Sequence, residues 1–173
     1  MESEKIIIKE ANNLELDIRT TTEEDVPLIL EYIKKIADFE KLLDKVVTNE
    51  DILKKSLFGE RPYAEALIAE VEGNPVGFIV FYHNFSTFLG KQGFYIEDIF
   101  VDLDWRGKGI GKAMFLYCAK LARERDCDRM EWVALKWNPA CEFYEHFGAI
   151  PMDEWVTYRL TEDKIKETAK MLD

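Results

Sequence analysis

Apolar residues recur along the chain in two rhythms, every second residue or every third to fourth, and the changes of rhythm mark the elements. Leu14 to Arg19 alternates apolar with polar, as a half-buried strand does. Thr20-Thr21-Thr22-Glu23-Glu24-Asp25 then offers an N-cap and a carboxylate-rich first turn. Val26, Leu28, Ile29, Ile33, Ile36 and Ala37 follow at helical spacing up to about Phe39. Thr48-Asn49-Glu50-Asp51 caps a second, shorter helix that ends near Phe58-Gly59. Tyr63–Val71 and Pro75–Tyr82 read as strands joined by a turn at Gly73-Asn74, Phe85–Gly93 as a loop, and Phe94–Val101 as the next strand. Ile110, Ala113, Met114, Tyr117, Cys118, Leu121 and Ala122 step three, one, three, one along a single helical stripe. Met130–Leu135 is a fifth strand, Pro139 opens a short helix that stops at Gly148, and Trp155–Leu160 is a last strand before Thr161-capped helical residues. The order is β-α-α-β-β-β-α-β-α-β, an α/β arrangement without repeats, linkers or low-complexity segments.

Composition adds bounds. The chain has 173 residues, 47% of them apolar, enough for one well-buried domain, with a core of about 17–160 and a helical tail over 161–173. A net charge of −11 without Lys/Arg clusters disfavours nucleic acid and would attract small cations, although solubility alone explains such a charge equally well. Three cysteines and two distant histidines form neither a disulfide framework nor metal-ligand spacing, so no metal is expected. Ile6-Ile7-Ile8 is too short for a signal sequence and no apolar run reaches membrane-spanning length. These features suggest a cytoplasmic protein with reduced thiols and no membrane partner.

The segment with the most specific chemistry is Arg106-Gly107-Lys108-Gly109-Ile110-Gly111, set between a strand and a helix. Its glycines let the backbone approach a ligand closely, and the following helix aims unpaired N–H groups and its positive dipole end at the same place. That corner suits phosphate. It is no Walker A loop, since three residues rather than four separate Gly107 from Gly111-Lys112 and Ala113 follows. Nor is it a dinucleotide fingerprint, because Lys112 stands where the third glycine belongs. Arg-Gly-x-Gly-x-Gly after a strand resembles the acyl-CoA pyrophosphate loop of the GNAT N-acetyltransferases.

The resemblance implies a GNAT fold, a mixed, mostly antiparallel sheet flanked by helices, with a V-shaped splay between strands Phe94–Val101 and Met130–Leu135 where acetyl-CoA lies. It implies that the backbone of Ile99, Phe100 and Val101 pairs with the pantetheine arm and that residues Arg106 to Lys112 (Arg106, Gly107, Lys108, Gly109, Ile110, Gly111, Lys112) hold the pyrophosphate. Tyr144, in Phe143-Tyr144-Glu145-His146-Phe147-Gly148-Ala149, stands where the superfamily places the acid that reprotonates the thiolate; read alone, it is more simply a packed core aromatic, since a helical tyrosine usually packs. Glu97 is the candidate base, through ordered water or as an anion partner, and Asp98 a second acid that alternation turns to the opposite face, or a structural acid at a bulge.

Tyr95-Ile96-Glu97-Asp98-Ile99-Phe100-Val101, the glycine loop, Trp137-Asn138 and Phe143-Tyr144 are similar to the diamine (spermidine/spermine) and thialysine N-acetyltransferase branch. By that resemblance Phe39, Glu40, Glu97, Asp98 and Trp137 contact the amine, Asn138 contacts the cofactor, and the protein is a homodimer with sites near the subunit boundary. Three departures bear on the substrate: Ser86-Thr87-Phe88 replaces the polyamine enzymes' acid and tryptophan, Lys136 replaces an acid, and Asn138 to Tyr144 is one residue short. Either that loop is tightened or Trp137 takes the asparagine's place, and a short diamine or lysine-like amine is favoured over a long polyamine. Acetylation of a protein amine and a non-catalytic CoA-binding module are the alternatives.

Overall fold

The structure, a computed structural model, describes residues 4–8 and 14–172. The chain divides into two compact units, Met1–Val133 and Ala134–Asp173.

The first unit is a six-stranded sheet of order β1-β2-β3-β4-β5-β6, made of β1 (Glu4–Ile8), β2 (Leu14–Thr20), β3 (Glu65–Val71), β4 (Asn74–Ser86), β5 (Lys91–Val101) and β6 (Met130–Trp132). Neighbours are antiparallel except β5 and β6, which run parallel. Helices α1 (Val26–Phe39) and α2 (Glu50–Phe58) lie between β2 and β3, and α3 (Ile110–Glu124) between β5 and β6. Alternation along β4 sorts the core. Phe78 and Val80 join Val26, Ile29, Tyr32 and Leu53 under α1 and α2. Gly77, on the other face, admits Met114 of α3 so closely that an added Cβ would stand 3.2 Å from its Sδ.

Local chemistry sets the helix boundaries. The Thr22 N–H donates to the Asp25 carboxylate at 2.8 Å, closing the 3₁₀ turn Glu23–Asp25 that leads into α1. Asp25 also takes both terminal nitrogens of Arg19, at 2.8 and 2.9 Å, while Arg19 Nε donates to Glu70 at 2.8 Å. This cluster joins β2, β3 and the start of α1, and the guanidinium holds the Asp25 carboxyl below its usual range. Asn49 caps α2 by accepting from the Ile52 N–H.

Several sequence expectations shift. β1 was not expected, and it adds an edge strand through Ile8, which is buried. The β3–β4 turn is Glu72-Gly73, both at positive φ, rather than Gly73-Asn74. Most of Phe85–Gly93 is strand, since β4 runs to Ser86 and β5 starts at Lys91. The fifth expected strand stops at Trp132 instead of Leu135, and Trp155–Leu160 is irregular rather than a strand. The second unit holds α4 (Ala140–His146) and α5 (Glu162–Ala169). Without backbone pairing, alternation alone does not make a strand. No helix among the described residues is long and apolar enough to cross a membrane.

Candidate active site

β5 pairs with β6 only at Phe94, Tyr95 and Ile96, then runs on to Val101 paired with β4 alone. The two parallel strands therefore part within the sheet, as the splay requires, and β5 carries its outer edge from Glu97 to Val101 past the end of that pairing. After Asp102 the chain makes a 3₁₀ turn, Leu103–Trp105, and enters the glycine loop.

Gly107 and Gly109 both take left-handed backbone, φ +74° and +79°. Gly109 is the N-cap residue of α3, so the loop delivers the helix's first amides outward. Those of Ile110 and Gly111 have no acceptor inside the helix by its geometry, and the dipole adds to their attraction for an anion. Lys108 bends back, donating to the Asp104 carbonyl at 3.0 Å with its ammonium 4.3 Å from the Trp105 ring centre. Arg106 turns the other way: its Nε donates to the Val101 carbonyl at 3.0 Å, and its guanidinium stands 4.5 Å from the Phe39 ring and 5.1 Å from that of Phe100.

Pairing along β4 and β5 slips by one residue at the acids. Val80 faces Asp98 and Phe81 faces Ile96, which leaves Glu97 as the extra residue of a β-bulge. A regular strand would have sent Glu97 and Asp98 to opposite faces. The bulge instead brings Asp98, opposite Val80, onto the α1–α2 face. Glu97 acts electrostatically on both Asp98 and Tyr82 of that same face. Burial pushes the Asp98 carboxyl up to about 6, helped by the neighbouring charges of Glu97 and Glu40. Burial also raises Glu40 above its usual value. Glu97 itself is exposed.

Glu40 is placed by the end of α1. Its N–H donates to the Ile36 carbonyl at 2.9 Å, and Lys41 follows in left-handed backbone with Leu42 N–H bonded to the Ala37 carbonyl at 2.7 Å. Phe39, Glu40, Glu97, Asp98, Ile99, Phe100, Val101 and the glycine loop thus belong to the first unit, with direct or electrostatic contacts linking Phe39 to Arg106 and Glu40 to Asp98.

The remaining candidates are gathered in the second unit. Asn138 Oδ1 accepts from the Ala140 N–H at 3.0 Å and the Asn138 carbonyl from the Cys141 N–H at 3.0 Å, starting α4. Tyr144 lies mid-helix and half-buried, its ring edge-on to Phe143 at 5.4 Å, and Gly148 ends the turn at φ +84°. Trp137 is exposed.

Two contacts near these residues escaped the sequence reading. Tyr82 and Tyr95 stack at 4.8 Å across β4 and β5, and burial and the charges of Glu97 and Glu131 raise the Tyr82 hydroxyl. Asp102 accepts from the Tyr32 hydroxyl at 3.2 Å and from Lys35 at 2.9 Å. Alternation in β4 puts Tyr82 on the face of Val80, but only the strand register reveals its partner.

The Acetyltransferase (GNAT) family matches residues 30–149. The chain is 32% identical to L-ornithine N5-acetyltransferase NATA1 of Arabidopsis thaliana, over 89% of this chain and 88% of that protein. It is 33% identical to thialysine N-epsilon-acetyltransferase of Bos taurus, over 88% of this chain and 96% of that protein. Among solved structures, an integron cassette protein from the mobile metagenome of V. cholerae superposes with a TM-score of 0.74 at 25% identity, over 90% of this chain and 98% of that one.

Proposed function

Because the chain belongs to the GNAT family of acetyltransferases, we propose that it transfers the acetyl group of acetyl-CoA directly, in a ternary complex, to the primary amine of a small diamine, polyamine or lysine-like molecule. The observation that supports this reading is the bulge at Glu97 beside Asp98, which lies opposite Val80 on the α1–α2 face and feels the charges of both Glu97 and Glu40. An Asp98 carboxyl that feels the charges of Glu97 and Glu40, with Asp98 and Glu40 both raised by burial, favours a ligand that brings positive charge.

Acetyl-CoA fits the remaining parts. The amides from Gly107 to Lys112 take the pyrophosphate, and the outer edge of Ile99, Phe100 and Val101 takes the pantetheine as an added strand. Asn138 is assigned to the cofactor and Trp137 to the amine by the resemblance of Trp137-Asn138 to the diamine and thialysine branch. Asp98 and Glu40 hold the ammonium, whose pKa of roughly 10 keeps it charged in water. Exposed Glu97 passes its proton to solvent. The neutral nitrogen attacks the thioester carbonyl, the C–N bond forms, the C–S bond breaks and the Tyr144 hydroxyl gives its proton to the departing thiolate; the nitrogen's second proton leaves by way of Glu97 to solvent, and solvent reprotonates the Tyr144 phenolate. Holding both reactants in line supplies much of the acceleration.

Lys136, an amine-repelling charge next to Trp137, favours a short acceptor over a long polyamine. The relatives named for ornithine and thialysine acetylation support the same size class. A homodimer accompanies this reading, as the branch implies. The test is a competition: the protein receives acetyl-CoA with an equimolar mixture of thialysine, ornithine, lysine, 1,3-diaminopropane, putrescine and spermidine, and mass spectrometry identifies the acetylated product. A short diamine or amino acid carrying the acetyl group supports the reading. Acetylation of spermidine alone contradicts the size assignment.

A further inference from the structure

α1 is fastened to the connection between β5 and α3 at three points on one face. The Tyr32 hydroxyl donates to Asp102 Oδ2 at 3.2 Å, Lys35 to Asp102 Oδ1 at 2.9 Å, and the Phe39 ring receives the Arg106 guanidinium at 4.5 Å. Positions 32, 35 and 39 form one helical stripe, so the whole C-terminal half of α1 leans on residues Asp102 to Arg106. Asp102 is itself fixed, its N–H donating to the Val76 carbonyl at 2.9 Å.

Arg106 is the residue that a phosphate loop would ordinarily aim at its ligand. Here the Phe39 and Phe100 rings both flank its guanidinium, and its Nε is committed to the Val101 carbonyl at 3.0 Å. A planar, delocalised cation suits that place, whereas a lysine ammonium would bring a hydrated point charge. Partial burial between the two rings lowers the Arg106 pKa, although the residue as a whole stays exposed. Glu40 directly follows Phe39, and its backbone is held by the Ile36 carbonyl on one side and left-handed Lys41 on the other. Whatever places Phe39 therefore places Glu40.

We infer that Arg106 is a positioning residue for the amine: its guanidinium acts through Phe39 to keep Glu40 beside Asp98, and does not hold the pyrophosphate. The inference rests on the reading of Glu40 and Asp98 as partners of the ammonium.

The experiment separates the two ligands. CoA affinity is measured by titration calorimetry, and the amine KM at saturating acetyl-CoA, for wild type, Arg106→Gln, Arg106→Lys, Phe39→Leu, Glu40→Gln and the Arg106→Gln/Glu40→Gln pair, with circular dichroism to verify folding. Arg106→Gln, Arg106→Lys and Phe39→Leu are expected to raise the amine KM about tenfold while the CoA Kd stays within about twofold. The double variant is expected to be no worse than Glu40→Gln alone. Loss of CoA affinity of about tenfold or more in Arg106→Gln, restored by Arg106→Lys, overturns the inference. Phe39→Leu leaves the loop sequence intact, so it decides the question if the arginine variants fold poorly. Should the wild type acetylate no amine, the proposed substrate falls, and the CoA titrations still decide whether the guanidinium holds the pyrophosphate.

Discussion

Gly109 and Ile8 are packed so closely that a Cβ on the glycine would stand 2.9 Å from Ile8 Cγ2. The first strand of the sheet thus backs the glycine loop. Gly109→Ala combines that clash with left-handed strain of roughly 1–2 kcal/mol, so its melting temperature is expected to fall about 3–8 °C. Gly107 has the same backbone sign with nothing within 4 Å of an added Cβ, so Gly107→Ala carries strain alone and should lose about half as much. Thermal denaturation of the two variants side by side checks the difference. An equal loss in both would mean that the Ile8 contact yields.

The Asp98 carboxyl, raised to about 6 in the folded protein, gives a pH signature. Between the unfolded value near 4 and about 6 the native state binds the extra proton, so this group's contribution to stability is full at lower pH and is lost as pH rises through that window. Asp98→Asn is therefore expected to be more stable than wild type at pH 7.5, by an amount on the order of 2 kcal/mol, and nearly equal to it at pH 4. Urea denaturation at the two pH values checks this.

The same group predicts a kinetic profile. An ammonium needs ionised Asp98, so the amine KM should climb as pH drops below about 6 while the acetyl-CoA KM stays flat. Steady-state kinetics from pH 5 to 8 measures both. A flat amine KM would remove Asp98 from the amine's surroundings.

Tyr144→Phe keeps the ring that meets Phe143 edge-on at 5.4 Å and removes only the hydroxyl. The expected result is a kcat lower by about 100-fold with CoA affinity unchanged. Single-turnover kinetics with pre-bound acetyl-CoA measures the chemical step. Full activity would return Tyr144 to a packing role.

Much of this was legible in the sequence because it is local. The stripe of α3, the caps Thr22 and Asn49, and the glycine loop each depend on residues within a few positions of one another. What escaped depends on distant partners. The sequence offered a bulge at Asp98 only as one alternative; the slip between Val80 and Phe81 on the neighbouring strand, which makes Glu97 the extra residue, is recorded by no alternation in β5 alone. The Arg106 guanidinium finds Phe39, sixty-seven positions earlier, through the packing of α1 on the sheet. Trp155–Leu160 has the apolar pattern of a strand but pairs with no strand among the described residues, so the pattern misled.

The central claim, that this acetyltransferase serves a small amine, is tested most directly by CoA-thiol release from acetyl-CoA with ornithine, 1,3-diaminopropane or a peptide bearing a free N-terminus as acceptor. The account predicts saturable release with one of the two small amines, well above that with the peptide. Release that saturates with the peptide while both small amines stay at background would contradict it.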